Sequence, residues 1–197
     1  LFPYTTLFRS LSDVALPACY ASYRAGFRLL QAGLPTPAPI LAAVVRTPKG
    51  KRQILVTELC PDAVGLDQAM REAGHGRRLQ LLDHVFPLLA QLHGNGFYSH
   101  HLRAANILVT AGKQKGRPQL TFIDLDRLGS NIFFPHYAYV SGVSRAAFEF
   151  WDDLTPEERQ YLLRAAFDAA LKSNIYARPS DQQAFMAKAA AMIKRRK

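Results

Sequence analysis

Residues 92–106 read LHGNGFYSHHLRAAN and run straight into ILVT at 107–110; after AGKQKGRP (111–118) comes QLTFIDLD at 119–126. A polar loop followed by two short apolar runs around a Gly/Lys/Pro-rich connection predicts a β-hairpin, with strands over 107–110 and 119–125. Asn106 stands just before the first strand and Asp124 near the end of the second. That order can bring an amide oxygen and a carboxylate around a hard cation. Magnesium takes few protein ligands and completes its octahedron with water and substrate phosphate oxygens. The adjacent His100 and His101 do not suggest zinc, since sequence neighbours rarely point the same way and no cysteine or third histidine is suitably spaced.

Working outward, residues 77–93 carry two apolar stripes: Leu79, Leu82, Phe86 and Leu89, then Leu81, Val85, Leu88 and Leu92. A helix apolar around that much of its circumference belongs in a domain centre. His93 at its end reads as a structural histidine bonded to nearby backbone. Upstream, PACYASYRAGFRLLQA (17–32) predicts a helix closed by Gly33, with Pro35 and Pro37 beyond. Residues 40–46 and 53–58 predict two strands joined through Pro48-Lys49-Gly50, and Asp67 to Glu72 a short helix. Downstream, helices are expected near 142–151, 156–171 and 181–194. Thr155-Pro156-Glu157-Glu158 predicts a capping box, and Ser180 to Gln183 a second. Met186 and Met192 read as core of the last helix.

The 197 residues are 49% hydrophobic and 20% charged, enough apolar material to bury a core, so wholesale disorder is excluded. No apolar run reaches the length of a membrane-spanning helix. Two cysteines, Cys19 and Cys60, make no disulfide framework and fit a reducing, cytoplasmic setting. Lys+Arg 25 against Asp+Glu 15 leaves a net charge of +10, which favours an anionic partner. Nucleic acid is not the expected partner, because the basic residues are scattered and aromatics do not interleave with them. The terminal Lys194-Arg195-Arg196-Lys197 run reads as a solvated helix end. Residues 1–10, LFPYTTLFRS, show neither signal-peptide nor helix-capping features. They resemble sequencing-adapter read-through, so the native domain is expected to begin near Leu11 and to lack its true start.

LHGNGFYSHHLRAAN resembles the catalytic loop of the protein-kinase-like fold, where His-x-Asp-Leu-x-x-x-Asn precedes the hairpin, and IDLD (123–126) resembles the Asp-Phe-Gly segment after it. SYRAGFRLLQAGLPTPAPILA, the following strand and VTELCPDA are similar to the lipopolysaccharide kinase family, the bacterial Kdo/heptose kinases. FIDLDR, closed by Arg rather than Gly, fits that branch too. The resemblance spans about residues 17–171 and implies an α+β, protein-kinase-like fold with an incomplete small lobe and a mainly helical large lobe. The implied division is 1–10 as non-native sequence, 11–60 as remnant small lobe and hinge, and 61–197 as large lobe.

Carried over by position, the resemblance implies that Asn106 and Asp124 hold Mg²⁺ and that the Glu58 and Leu59 backbone meets the adenine of ATP. Arg103 stands where the family places a basic residue beside the transferred phosphate. The catalytic aspartate position falls on His101, and the first histidine of the motif on Ser99. Imidazole can accept a proton near neutrality, yet it brings no fixed negative charge. No lysine precedes Lys49, no glutamate precedes Glu58 and no glycine precedes Gly26. The phosphate-covering glycine loop, the strand lysine and its glutamate partner therefore have no counterpart, and Ser22 or a neighbour stands at the glutamate position. The implied reaction is Mg²⁺-dependent transfer of the ATP γ-phosphoryl to a sugar hydroxyl of the lipopolysaccharide core. The acceptor would be an anionic glycolipid met by peripheral contact at the inner face of the cytoplasmic membrane. The 197-residue chain itself is expected to be inactive, and the alternative is a non-catalytic, pseudokinase-like binding module.

Overall fold

The computed structural model describes residues 17–99, 102–112, 117–124, 128–130, 135–176 and 178–196. The chain begins with α1 (Ala18–Gln31), which ends where the sequence says it should. Gly33 adopts φ 70°, and Leu34 N–H turns back to the Leu29 carbonyl at 2.9 Å. Such a left-handed residue after the last turn suits glycine, which carries no Cβ penalty. One face of α1 lies across an antiparallel hairpin, β1 (Pro39–Thr47) and β2 (Gly50–Thr57). Cys19 N–H donates to Gln53 Oε1 at 3.0 Å, and Gly26 packs so closely on Pro39 that a Cβ there would sit 3.1 Å from its Cγ.

A two-residue strand, β3 (Val64–Gly65), leads into α2 (Leu66–Glu72) and then α3 (His75–Gly94). Both apolar stripes of α3 are used. Leu81, Leu82, Val85, Phe86, Leu89, Ala90 and Leu92 are buried, and Leu79 and Leu88 pack against the same core. Beyond α3 lie β4 (Phe97–Ser99), a 3₁₀ turn (Ala104–Asn106), β5 (Ile107–Ala111), β6 (Pro118–Phe122) and β7 (Leu128–Ser130). β5 and β6 form the expected hairpin, extended by β3 into an antiparallel sheet ordered β3-β5-β6.

Two differences from the sequence reading bear on the site. The stretch 96–106 is more than a loop, because Phe97–Ser99 pairs antiparallel with Leu128–Ser130. A three-residue strand with a partner some 30 positions away leaves no local period to read. The second hairpin strand also ends at Phe122, so Ile123 and Asp124 lie beyond the ladder, and Asp124 takes φ 57°.

The helical remainder is α4 (Pro135–Phe148), α5 (Pro156–Lys172) and α6 (Gln182–Lys194). α3 packs on α5 and α4, and α6 closes over α4 and α5. α4 starts seven residues before the expected position. Nearly all of Ala138–Ala147 is buried, so the helix has no polar face whose period would mark its beginning. The capping box at Thr155 forms as read: Glu158 N–H donates to Thr155 Oγ1 at 3.2 Å, and Thr155 N–H donates to Glu158 Oε2 at 2.9 Å. The second expected box does not form. Asp181 caps α6 with helical backbone angles and no side-chain hydrogen bond, because a 3₁₀ turn (Pro179–Asp181) feeds the chain into the helix. Met186 and Met192 pack partly buried against the core.

Candidate functional site

The site grows from the hairpin end. Ile123 N–H donates to the Asn106 carbonyl at 2.9 Å, continuing the β5–β6 pairing one step past the last ladder residue. The next residue is Asp124, and Asn106 Nδ2 donates to its Oδ2 at 3.1 Å. The two residues chosen for metal binding, eighteen positions apart, are thus side by side. Asn106 is held from its other side by the 3₁₀ turn, its N–H donating to the Arg103 carbonyl at 3.0 Å. The Phe122 carbonyl accepts from Thr36 Oγ1 at 2.9 Å, and Phe122 N–H donates to the Pro35 carbonyl at 2.9 Å. These bonds lock the strand leading to Asp124 against the segment between α1 and β1.

Asp124 and Ile123 form part of a cavity of about 210 Å³ lined also by Ser22 and Gly26 of α1, Thr36, Pro37, Pro39, and Leu55 and Thr57 of β2. The hairpin, the first helix and the Asp124 segment therefore surround one cleft. Glu58 follows Thr57 directly. Its N–H donates to the Ala38 carbonyl at 2.9 Å, and its Oε2 accepts from Ala38 N–H at 3.1 Å, so the carboxylate fastens the open end of the hairpin. Leu59 is exposed beside it. Ser22, at or beside the position where the family resemblance expects a glutamate, lines the same cavity as Asp124.

Arg103 lies on the stretch between β4 and the 3₁₀ turn, and its Nε donates to Glu149 Oε1. Glu149 Oε2 also accepts from Ala105 N–H at 3.0 Å. One carboxylate just past the end of α4 thus pins the turn that presents Asn106. Sequence reasoning passed over Glu149, though there was a signal. An acidic side chain at a helix C-terminus opposes the macrodipole, so it needs a partner elsewhere. His100, His101, Asp126 and Arg127 lie outside the described residues. His93 is where it was expected: buried, with its ring Nδ1 2.9 Å from the Phe97 carbonyl.

The donor set suits a magnesium–nucleotide complex. A carboxylate and a neighbouring amide supply hard oxygen chemistry at a cleft, and a cation that keeps several water and phosphate ligands asks for no more. Among the described residues no group of three His, Cys, Asp or Glu side chains could enclose a metal unaided. No described helix is long and apolar enough to cross a membrane.

No curated protein matches the sequence significantly. A solved structure of WaaP in complex with acyl carrier protein superposes with a TM-score of 0.62 at 23% identity, covering 88% of this chain and 76% of that one. The Rio2 kinase–ADP/Mg²⁺–phosphoaspartate complex from Chaetomium thermophilum is also similar, with a TM-score of 0.49 at 14% identity, covering 91% of this chain and 55% of that one. The WaaP superposition shows the fold to be protein-kinase-like. The sequence profile of the lipopolysaccharide kinase (Kdo/WaaP) family matches residues 7–159, most of the chain, and the chain belongs to that family.

Proposed function

We propose that the protein is a phosphotransferase that moves the γ-phosphoryl of ATP to a sugar hydroxyl of the lipopolysaccharide core. The observation that carries this reading is the Asn106–Asp124 pair, whose aspartate lines a cleft together with the end of β2 that leads to Glu58. Asn106 and Asp124 would hold Mg²⁺, which neutralises developing charge on the phosphoryl oxygens when bound. Leu55 and Thr57 would flank the base, and the Glu58–Leu59 backbone would meet its edge. Phosphoryl transfer demands little covalent chemistry from the protein, so the work of these residues is to position and to exclude water. By its place in the sequence motif, His101 would be the proton acceptor. Arg103 would contribute charge near the transferred group and, through Glu149, order to the loop. The net charge of +10 suits an anionic glycolipid acceptor reached peripherally from the cytoplasmic side.

A pseudokinase-like binding module is the second reading, favoured by histidine at the aspartate position. Titration of the chain with ATP, with and without Mg²⁺, tests the site. Weak, magnesium-dependent binding without turnover is expected, and binding indifferent to magnesium in both the wild type and Asp124→Asn overturns it. Turnover comparable to an intact kinase overturns the expected inactivity of the chain. His101→Asp then separates the readings. Gain of phosphoryl transfer marks a lost activity, whereas loss of a turnover present in the wild type makes His101 the working base.

A further inference from the structure

The hairpin β1–β2 presents two faces of different character, and only one faces the cleft. Strand side chains alternate between faces. Leu55 and Thr57 line the cleft, and Gln53, of the same parity, accepts the Cys19 N–H of α1. The opposite face is fixed by the register: Leu41 is paired with Val56, Ala43 with Ile54, and Val45 with Arg52. On that face Leu41 is 51% exposed, Val45 36%, and Ile54 and Val56 40% each. Four large apolar side chains side by side on a sheet face make a contiguous patch, the kind of surface that marks an interaction site. Its charged margin is of one sign. Arg46, Lys49, Lys51 and Arg52 cluster at the turn, and residues 39–57 contain no Asp or Glu. By the same register Arg52 stands on this face opposite Val45, whereas Arg46 and Lys51, paired with each other, stand on the cleft side of the ladder.

We propose that this outer face of the hairpin is the surface by which the protein docks on an anionic lipid bilayer. The choice of a bilayer rests on the proposed glycolipid acceptor, while the patch and its charge stand independently. Leu41, Val45, Ile54 and Val56 enter the headgroup–acyl boundary, and Arg52 on the same face and Lys49 at the turn lie among the lipid phosphates. Because the cleft lines the opposite face, docking this way leaves the nucleotide path open and holds the site close to a membrane-borne acceptor.

Sedimentation of the full chain with vesicles tests the proposal without nucleotide or acceptor, so its failure leaves the kinase reading standing. Vesicles containing about 30% phosphatidylglycerol should retain the chain and neutral phosphatidylcholine vesicles should not, with release at about 0.5 M salt. The combined variant Lys49→Gln, Arg52→Gln should bind at least tenfold more weakly. Leu41→Ser with Ile54→Ser should do the same, and both variants should keep the wild-type unfolding midpoint. The proposal is overturned if the wild type ignores anionic vesicles, or if either variant binds as the wild type does. A dimer in light scattering that the serine variant dissociates, with no vesicle binding, would instead give the patch to a second copy of the chain.

Discussion

His93 shows how much one residue can tie together in this fold. Its ring is buried at the end of α3 with Nδ1 2.9 Å from the Phe97 carbonyl, so Nδ1 carries the proton in the neutral form. Nε2 lies against Gly142 of α4, where an added Cβ would come within 2.3 Å of it and 3.2 Å of Leu102. Gly142 is thus the residue that lets α4 approach the start of the loop bearing the candidate site. Gly142→Ala gains about 1 kcal/mol of helix propensity. It also overpacks a buried contact at up to about 3 kcal/mol, which wins because the ring is held by its own hydrogen bond. A net loss of roughly 2 kcal/mol should lower the melting temperature by about 4–8 °C; an unchanged melting temperature would refute the close packing. Burial lowers the His93 pKa from 6.5 to about 4, against the raising effect of the Phe97 carbonyl. The unfolded chain therefore takes up this proton first. Stability is complete above pH 6.5 and falls as pH drops toward 4, by about 1.4 kcal/mol per unit. His93→Gln should remove that share of the slope in denaturant melts taken between those pH values, and identical slopes would contradict it.

At the scale of elements, the N-terminus of α5 carries more than a cap. Glu158 closes the box with Thr155, and its carboxylate also meets His75 Nδ1 at 2.9 Å and Arg78 Nη1 at 3.3 Å. Arg78 in turn donates to the Met70 carbonyl at 2.9 Å and the Asp153 carbonyl at 2.7 Å. One buried carboxylate thereby joins α3 to α5, and its arginine partner reaches back to α2. Burial pushes the Glu158 pKa up, but the Thr155 N–H, His75 and Arg78 together outweigh it and hold the group below its ordinary value. Its stabilisation is present above the ordinary carboxylate range and is lost as pH falls through the lowered value. Thr155→Ala removes a cap and should cost about 1 kcal/mol. Glu158→Gln keeps an acceptor for the Thr155 N–H but leaves Arg78 without its charge complement, so it should cost about 3 kcal/mol. Urea unfolding of both variants checks the order, and equal losses would show that the contacts to α3 add nothing. The box itself was legible because Thr-x-x-Glu is a local signal. The reach to His75 and Arg78, some eighty positions away, was not. The same contrast runs through the chain: α1, α3, α5 and the β5–β6 hairpin were readable from period and punctuation. β4 and β7 exist only as each other's partner, and the early start of α4 was hidden by its burial on all sides.

For the whole molecule, the cleft is where local legibility and tertiary assembly meet. Asn106 and Asp124 could be picked out as residue types in an order, and Glu58 and Leu59 through the family resemblance. Glu149, which fixes the turn beneath Asn106, and the convergence of Ser22, Thr36 and Leu55 on the Asp124 cavity appear only once the chain is folded. The backbone at Asp124 adds a constraint of its own. With φ 57° it occupies the left-handed region, which Asp and Asn tolerate far better than other side chains because they bond locally to backbone. Asp124→Asn therefore keeps both shape and backbone preference while removing the charge. Asp124→Ala keeps neither and should cost about 1 kcal/mol in the unliganded chain. The two variants thereby separate architecture from chemistry. Unliganded Asp124→Asn should melt with the wild type and Asp124→Ala a few degrees below it. Added together, ATP and Mg²⁺ should raise the wild-type melting temperature, by the equivalent of about 2.7 kcal/mol at a hundredfold excess over the dissociation constant. Both variants should lose the magnesium-dependent part of that rise. If Asp124→Asn kept a full magnesium-dependent shift, the carboxylate would be serving the turn and not the cation.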